Sequence, residues 1–283
     1  MNTLPDHSSF KTSDGVELAW LESGSGPTIL MLPGWSQSAA MFREQFAGLS
    51  DRFHCIALDH RGHGESERPD HGYRISRLAC DVREFIEFRG LRDITMLGHS
   101  MGASVMWGYW DSYGGDRLAR LVIDDEPSVL TLKGTESKQA ATDAGEIFPW
   151  TTLVETCDGL VAPDPIGFTR GMIENMLSDQ LSADIHEWIL AENLKFPRKH
   201  AATLLFNHSL QDWRDVMPRI DLPTLIITGK ASVVPWRSQA WIHSVITGSR
   251  LEIFEEKRGG HHFAFLENPV RFNKLIAEFI SQS

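Results

Sequence analysis

The stretch Met96–Ala103 constrains the fold of this chain more than any other. It reads Met-Leu-Gly-His-Ser-Met-Gly-Ala, an apolar run that ends in Gly-x-Ser-x-Gly. This order predicts a strand, a sharp turn and a helix, with the hydroxyl of Ser100 lifted clear of the sheet on a strained elbow. Gly98 and Gly102 have no Cβ, so strand and helix can approach each other closely around the turn. Ser100 is therefore the candidate nucleophile.

Short apolar strands alternate with helices on both sides of this turn. Such alternation predicts an α/β fold with a doubly wound, mostly parallel sheet, built from residues 1–129 and 219–283. The predicted strands cover residues 16–22, 28–32, 53–58, 94–98, 121–123, 223–229 and 251–255. The predicted helices of this core cover residues 40–49, 75–88, 101–113 and 270–280.

Residues 130–218 have a different pattern. They contain no buried strand run, and helical spacing recurs at residues 166–177 and 183–194 between turns that contain proline. We interpret this segment as a helical cap inserted into the core. It is rich in aromatic residues, and Trp150 and Trp188 are candidates for the wall of a substrate pocket.

The charge of the chain narrows its possible partners. There are 27 Lys and Arg against 38 Asp and Glu, a formal net charge of −11, with no cluster of basic residues. This composition argues against a nucleic-acid partner. Since no apolar run is long enough to span a membrane and the first residues lack the pattern of a signal peptide, we expect a cytoplasmic protein without a membrane partner. The expected partner is a small-molecule substrate, and the sequence leaves the oligomeric state open.

A base for Ser100 is found late in the chain. A serine hydroxyl is a weak nucleophile at neutral pH and needs a base within hydrogen-bond reach. The Gly-rich loop after the last predicted strand carries His261 and His262. Such a loop lies at the carboxyl end of the sheet, the same edge as Ser100.

Four motifs in this order and spacing resemble the α/β-hydrolase fold superfamily, and the resemblance covers nearly the whole chain. These motifs are Leu32–Trp35, Asp59–Ser66, Gly98–Gly102 and His262–Pro269. The superfamily places its catalytic histidine directly before a Phe-x-x-Leu-Glu-x-Pro run, which implies His262 as the base and leaves His261 at the edge of the pocket. The resemblance also implies an oxyanion hole formed by the backbone N–H groups of Trp35 and Met101.

The acid of the implied triad departs from the commonest pattern of the superfamily. Most relatives carry an aspartate after the seventh strand, but here the loop Gly229–Trp236 contains no carboxylate. Other members carry the acid after the sixth strand, where this chain has Asp124, Asp125 and Glu126. The three side chains cannot all face the same way, because successive side chains of a strand alternate. An ungapped count along such relatives favours Asp125, with Glu126 as the runner-up.

The reaction implied is acyl transfer without a metal or an organic cofactor. Ser100 attacks the carbonyl of an ester or lactone, His262 takes and returns the proton, Asp125 stabilises the imidazolium, and water releases the acyl group. The tryptophans of the cap favour an apolar or aromatic substrate. Three alternatives remain: a cofactor-free dioxygenase of the 3-hydroxy-4-oxoquinoline type, a carbon–carbon bond hydrolase, and a small-molecule receptor with a vestigial triad.

Overall fold

The apolar runs of the sequence form one twisted sheet at the centre of a computed structural model, which describes residues 4–134 and 137–282. Within these residues the sheet has eight strands in the order β1-β2-β4-β3-β5-β6-β7-β8. Strands β3 to β8 are parallel to one another, and β1 and β2 are antiparallel to their neighbours. The strands are β1 His7–Lys11, β2 Glu17–Ser23, β3 Thr28–Leu32, β4 His54–Leu58, β5 Ile94–His99, β6 Leu118–Asp124, β7 Thr224–Gly229 and β8 Arg250–Phe254.

Helices cover the faces of the sheet and fill the inserted segment, which we define as residues 130–218. A short 3-10 turn, Ala39–Phe42, precedes the first of them. The helices are α1 Arg43–Leu49, α2 Ile75–Arg89, α3 Met101–Tyr113, α4 Lys138–Ala144, α5 Trp150–Gly159, α6 Pro165–Glu174, α7 Ala183–Leu194, α8 Arg198–Ser209, α9 Trp236–Val245, α10 Ala264–Glu267 and α11 Pro269–Ser281. Among the residues described, no helix combines the length and the apolar character needed to cross a membrane.

Both faces of the sheet are buried, which explains the unbroken apolar runs. In β3, Leu30 and Leu32 pack into the cluster that contains α2 and α3. Ile29 and Met31 point to the opposite face and pack with α1 and α11. In a parallel sheet covered on both sides, every position of a central strand faces the core and favours an apolar side chain. The predicted doubly wound α/β fold is confirmed.

Several elements are absent from the sequence prediction, and β1 and α9 show why. Strand β1 lies at the edge of the sheet and buries only Phe10, so it lacks the apolar alternation that marks a strand. Helix α9 buries Ser238, Gln239 and Ile242, a largely polar face with no apolar periodicity.

The inserted segment runs between β6 and β7. It contains α4 to α8, and the only strand-like contact of its described part is an isolated bridge from Asp212 to Val129, the residue directly before the segment. Helices α5 and α8 pack against each other through Leu153, Leu160 and Leu205. Several side chains of this segment line a cavity over the carboxyl ends of β5 and β6.

Candidate active site

Ser100 occupies a strained turn between β5 and α3. Its backbone has φ 51° and ψ −132°, a conformation that residues other than glycine seldom adopt. A Cβ on Gly98 would lie 2.4 Å from the backbone nitrogen of Ala103, and one on Gly102 would lie 2.1 Å from the carbonyl oxygen of Leu32. Both glycines of the motif are therefore required for this turn to close.

His262 is bonded to the acid that the ungapped count favoured. Its Nδ1–H donates to Oδ2 of Asp125 over 2.7 Å, and both side chains are almost wholly buried. Because Nδ1 is occupied in this way, Nε2 is the ring nitrogen left for a partner in the cavity. His262 and Ser100 line the same cavity.

The loop after β7 has no carboxylate, but one hydroxyl group from β7 and one from this loop hold Asp125. Thr228 Oγ1 donates to Oδ1 of Asp125 over 2.7 Å, and Ser232 Oγ donates to Oδ2. With His262, the carboxylate accepts three hydrogen bonds. Such bonds offset the cost of burying a charged group.

The two neighbours of Asp125 have different surroundings. Glu126 Oε1 accepts hydrogen bonds from Ser104 Oγ and from Nε2 of His208, each over 2.7 Å. Both carboxyl oxygens of Asp124 are buried, and neither has a partner within residues 4–134 and 137–282. Burial, reinforced by the charge of Asp125, raises the pKa of Asp124 well above its usual value. Of the three consecutive acids, Asp125 is the one bonded to His262.

The loop after β3 passes directly over Ser100. A Cβ on Gly34 would lie 3.0 Å from the Cβ of Ser100. In the part of the chain that the structure describes, the backbone N–H groups of Trp35 and Met101 donate to no acceptor. The indole N–H of Trp35 donates to the carbonyl oxygen of Ala201 over 2.8 Å, which ties this loop to α8.

Two further histidines of the motifs hold loops in place. Burial and the neighbouring His262 keep the pKa of His99 well below its usual value, and Nε2–H of His99 donates to the carbonyl oxygen of His262 over 2.9 Å. Burial likewise lowers the pKa of His63, whose Nε2 accepts a hydrogen bond from the backbone nitrogen of Ser36 over 3.1 Å. The contact of His63 needs a neutral imidazole, because a protonated ring has no nitrogen lone pair to accept from Ser36.

The cavity beside Ser100 is mostly apolar and combines core residues with residues of the inserted segment. Its apolar lining consists of Trp35, Leu130, Ile147, Phe148, Met172, Met176, Leu205, Val233 and Val234. Its polar lining consists of Gln37, Ser100, Glu126, His208 and His262.

The residues that we predicted for the pocket wall lie elsewhere. Trp150 is 55% exposed, Trp188 covers the guanidinium of Arg43, and Nδ1 of His261 lies 3.4 Å from the carboxyl of Glu267. The cavity lining contains none of these three residues. The lining that sequence reasoning missed comes from apolar side chains of the inserted segment and of the loop after β7, and the sequence gives no signal for them beyond their apolar character.

The described residues hold no group of three or more His, Cys, Asp or Glu side chains that could bind a metal ion. The three cysteines are free thiols. Burial raises the pKa of the Cys55 thiol to about 11, so this group is a neutral core residue at physiological pH.

Known proteins resemble this chain over most of its length. The sequence model of the alpha/beta hydrolase family matches residues 29–275. A non-heme haloperoxidase from Rhodococcus erythropolis is 35% identical over 269 residues, which cover 86% of this chain and 89% of that protein.

Two solved structures are similar to it as well. An esterase from Exiguobacterium antarcticum has a TM-score of 0.84 at 26% identity, covering 97% of this chain and 99% of its own. A bromoperoxidase from Bacillus anthracis has a TM-score of 0.89 at 22% identity, covering 98% of this chain and 100% of its own, a likeness that concerns the fold.

Proposed function

Because the chain belongs to the alpha/beta hydrolase family, we propose that it is a serine hydrolase that cleaves a carboxylic ester or a lactone. The single observation that carries the proposal is the hydrogen bond from His262 to Asp125, in a cavity that His262 shares with Ser100. A histidine oriented by a buried carboxylate and facing a serine on an elbow is the arrangement that activates a hydroxyl group.

The proposed mechanism has two steps. Ser100 Oγ attacks the substrate carbonyl while Nε2 of His262 takes the hydroxyl proton, and Asp125 stabilises the imidazolium that forms. His262 then returns the proton to the departing alcohol. In the second step His262 deprotonates a water molecule, which attacks the acyl-serine ester. His262 then returns this proton to the departing Ser100 Oγ, which releases the acid and restores the free serine.

The negative charge on the carbonyl oxygen needs donors during both steps. The backbone N–H groups of Trp35 and Met101 are proposed for this role, since neither has an acceptor among the described residues. Gly34 supports the proposal, because its close approach to Ser100 carries the loop over the nucleophile. Removal of one such donor from an oxyanion hole typically costs about 100-fold to 1000-fold in rate.

The walls of the cavity support an apolar acyl or alcohol group. Met172, Met176 and Leu205 approach from the inserted segment, and Val233 and Val234 approach from the loop after β7. Methionine side chains adapt to ligands of different shape, so such a wall favours an apolar group without selecting one shape.

The proposal is tested with an alkyl fluorophosphonate, which labels activated serines covalently. We expect the intact mass of the wild-type protein to rise by one adduct and that of Ser100→Ala to stay unchanged. The same substitution should lower ester hydrolysis by at least about 1000-fold, because the oxyanion hole alone retains only residual catalysis. Ester turnover in anaerobic buffer separates hydrolysis from oxygenation. A folded Ser100→Ala that hydrolyses esters at the wild-type rate would exclude the serine mechanism.

The relative from Rhodococcus erythropolis favours a second candidate, the use of peroxide. If hydrogen peroxide replaces water in the second step, its attack on the acyl-serine ester releases a peracid, which can oxidise bromide and return to the carboxylic acid. Bromination of an organic acceptor that requires a carboxylic acid, hydrogen peroxide and Ser100 together would support this activity. Ester hydrolysis without bromination would limit the protein to the first reaction.

A further inference from the structure

A second buried pair of a carboxyl group and a histidine lines the same cavity. Glu126 is 1% exposed and His208 is 2% exposed, and Nε2 of His208 lies 2.7 Å from Oε1 of Glu126. Glu126 follows β6, next to Asp125, whereas His208 comes from α8 in the inserted segment. The proposed hydrolysis uses neither side chain, because Asp125 is the acid bonded to His262.

Glu126 is held by one of its two carboxyl oxygens. Oε1 accepts hydrogen bonds from Ser104 Oγ and from His208. The indole N–H of Trp213 donates to Ser104 Oγ over 3.1 Å, which leaves the hydroxyl proton of Ser104 for Glu126. Gln239 fixes the backbone by donating to the carbonyl oxygen of Glu126 over 2.7 Å.

The other oxygen, Oε2, is available. Within residues 4–134 and 137–282 it receives no hydrogen bond. It is nevertheless not fully enclosed by protein, because Glu126 borders the cavity. A carboxyl group that is fixed on one side and open on the other is a preorganised acceptor. A buried carboxylate gains from a further hydrogen bond, since unmatched burial of charge is costly.

Glu126 lies near the nucleophile. Its partner Ser104 is in the first turn of α3, which begins directly after Ser100. Glu126 and Ser100 line the same cavity. Most of the lining around both groups is apolar, so a bound chain would meet its polar contacts at the scissile carbonyl and at Glu126.

We propose that Glu126 is a specificity-determining residue, which accepts a hydrogen bond from a hydroxyl or N–H group of the substrate. His208 and Ser104 are positioning residues that hold this carboxylate. The substrate class is then an ester or lactone with an apolar chain and a hydrogen-bond donor a few atoms from the scissile carbonyl. Substrates with a carboxylate at that place are repelled. This inference rests on the proposed function of Ser100 as a nucleophile.

The test compares ligands that differ only in the donor. Ethyl 3-, 5- and 6-hydroxyhexanoate are each paired with the corresponding methyl ether, which keeps the oxygen acceptor and loses the proton. Binding is measured by calorimetry to Ser100→Ala, so that affinity is read without turnover. At least one hydroxy ester should bind about tenfold or more tightly than its ether, the size expected for a hydrogen bond to a charged group.

Substitution of Glu126 should remove this preference. In Ser100→Ala/Glu126→Gln the ratio of the two affinities should fall towards one, because the amide that faces the cavity donates equally to hydroxyl and ether oxygens. Glu126→Asp is the second variant, for use if glutamine disturbs folding. It keeps the charge, withdraws the carboxylate by one methylene and should lower the ratio of the two affinities. Glu192→Gln is the matched control: this buried glutamate accepts from Ser38 Oγ, lies outside the cavity and should leave the ratio unchanged.

The inference is overturned if no hydroxy ester binds more tightly than its ether, or if the preference survives in Glu126→Gln. The proposed function fails separately, when wild-type protein does not hydrolyse the parent ethyl hexanoate in a manner that depends on Ser100. The two outcomes are distinguishable, since one is a ratio of affinities in an inactive variant and the other is a rate.

Discussion

The ends of β6 and β7 lie side by side in the sheet and carry opposite chemistry. Three consecutive acids, Asp124, Asp125 and Glu126, close β6, whereas the loop after β7 has hydroxyl groups and no carboxylate. The backbone nitrogen of Asp125 donates to the carbonyl oxygen of Ile227 over 2.9 Å, which joins the two strand ends. The carboxylate that follows β6 and the hydroxyl groups of β7 and its loop therefore lie together next to His262.

The comparison indicates what the site requires of the fold. The carboxylate must meet Nδ1 of His262, and two adjacent strand ends reach that place. Here the acid follows β6 directly, and its two hydroxyl donors are Thr228 in β7 and Ser232 in the loop after β7. The Asp125 carboxylate and the Ser232 hydroxyl come from different strand ends and meet beside Nδ1 of His262.

The largest expected effect separates the acids of β6. Asp125→Asn should lower kcat/KM for ethyl hexanoate by about 1000-fold or more, because an amide group facing Nδ1 favours the wrong tautomer and cannot stabilise the imidazolium. Glu126→Gln should keep a kcat/KM at least about tenfold higher than that of Asp125→Asn, because this ester has no hydrogen-bond donor for Glu126. Steady-state kinetics on folded variants checks the ranking. The reverse order would move the triad acid to Glu126.

A smaller effect is expected from moving the acid to β7. Ser232 Oγ contacts the same oxygen of Asp125 that receives His262 Nδ1–H. The double variant Asp125→Ser/Ser232→Asp should therefore regain about tenfold of the activity lost in Asp125→Ser, since a carboxylate again faces the imidazole. Asp125→Ser/Ala231→Asp places the charge one residue away and is the matched control. Equal activity of the double variant and the single variant would show that β7 cannot replace β6.

The sequence predicts the parts of this site that depend on local geometry. The elbow at Ser100 follows from two glycines whose Cβ atoms would clash with Ala103 and Leu32, and the fold follows from the alternation of buried strands and helices. The pairing of His262 with Asp125 agrees with the acid chosen by counting along relatives. The catalytic roles of these side chains stay predictions.

The remaining features depend on how the inserted segment packs on the core. Trp150 points outward from α5, although its residue type favours a pocket wall. His208 and Glu126 are separated by 82 positions, and no spacing in the sequence signals their contact. Interactions of this range are set by tertiary packing, which a local pattern does not encode.

The smallest expected effect on activity concerns Asp124, the acid of β6 that has no role in the proposed chemistry. Its carboxyl group is buried without a partner among the described residues, and burial raises its pKa well above the usual value. The folded state therefore holds this proton more tightly than the unfolded chain does. The stabilisation is complete below the ordinary aspartate pKa of about 4 and is lost as the pH rises towards the folded value.

Asp124→Asn removes this titration and keeps the shape of the side chain. Its free energy of unfolding should rise relative to wild type as the pH increases above about pH 5, by at most about 1.4 kcal/mol per pH unit, and kcat/KM should stay within about threefold. Urea unfolding of both proteins at each pH measures the difference. Asp14→Asn is the control, because Arg61 and Thr12 hold the pKa of Asp14 below this range and its difference from wild type should be flat. A flat difference for Asp124→Asn as well would mean that Asp124 is ionised in the folded protein, and that the three acids of β6 differ less than their surroundings imply.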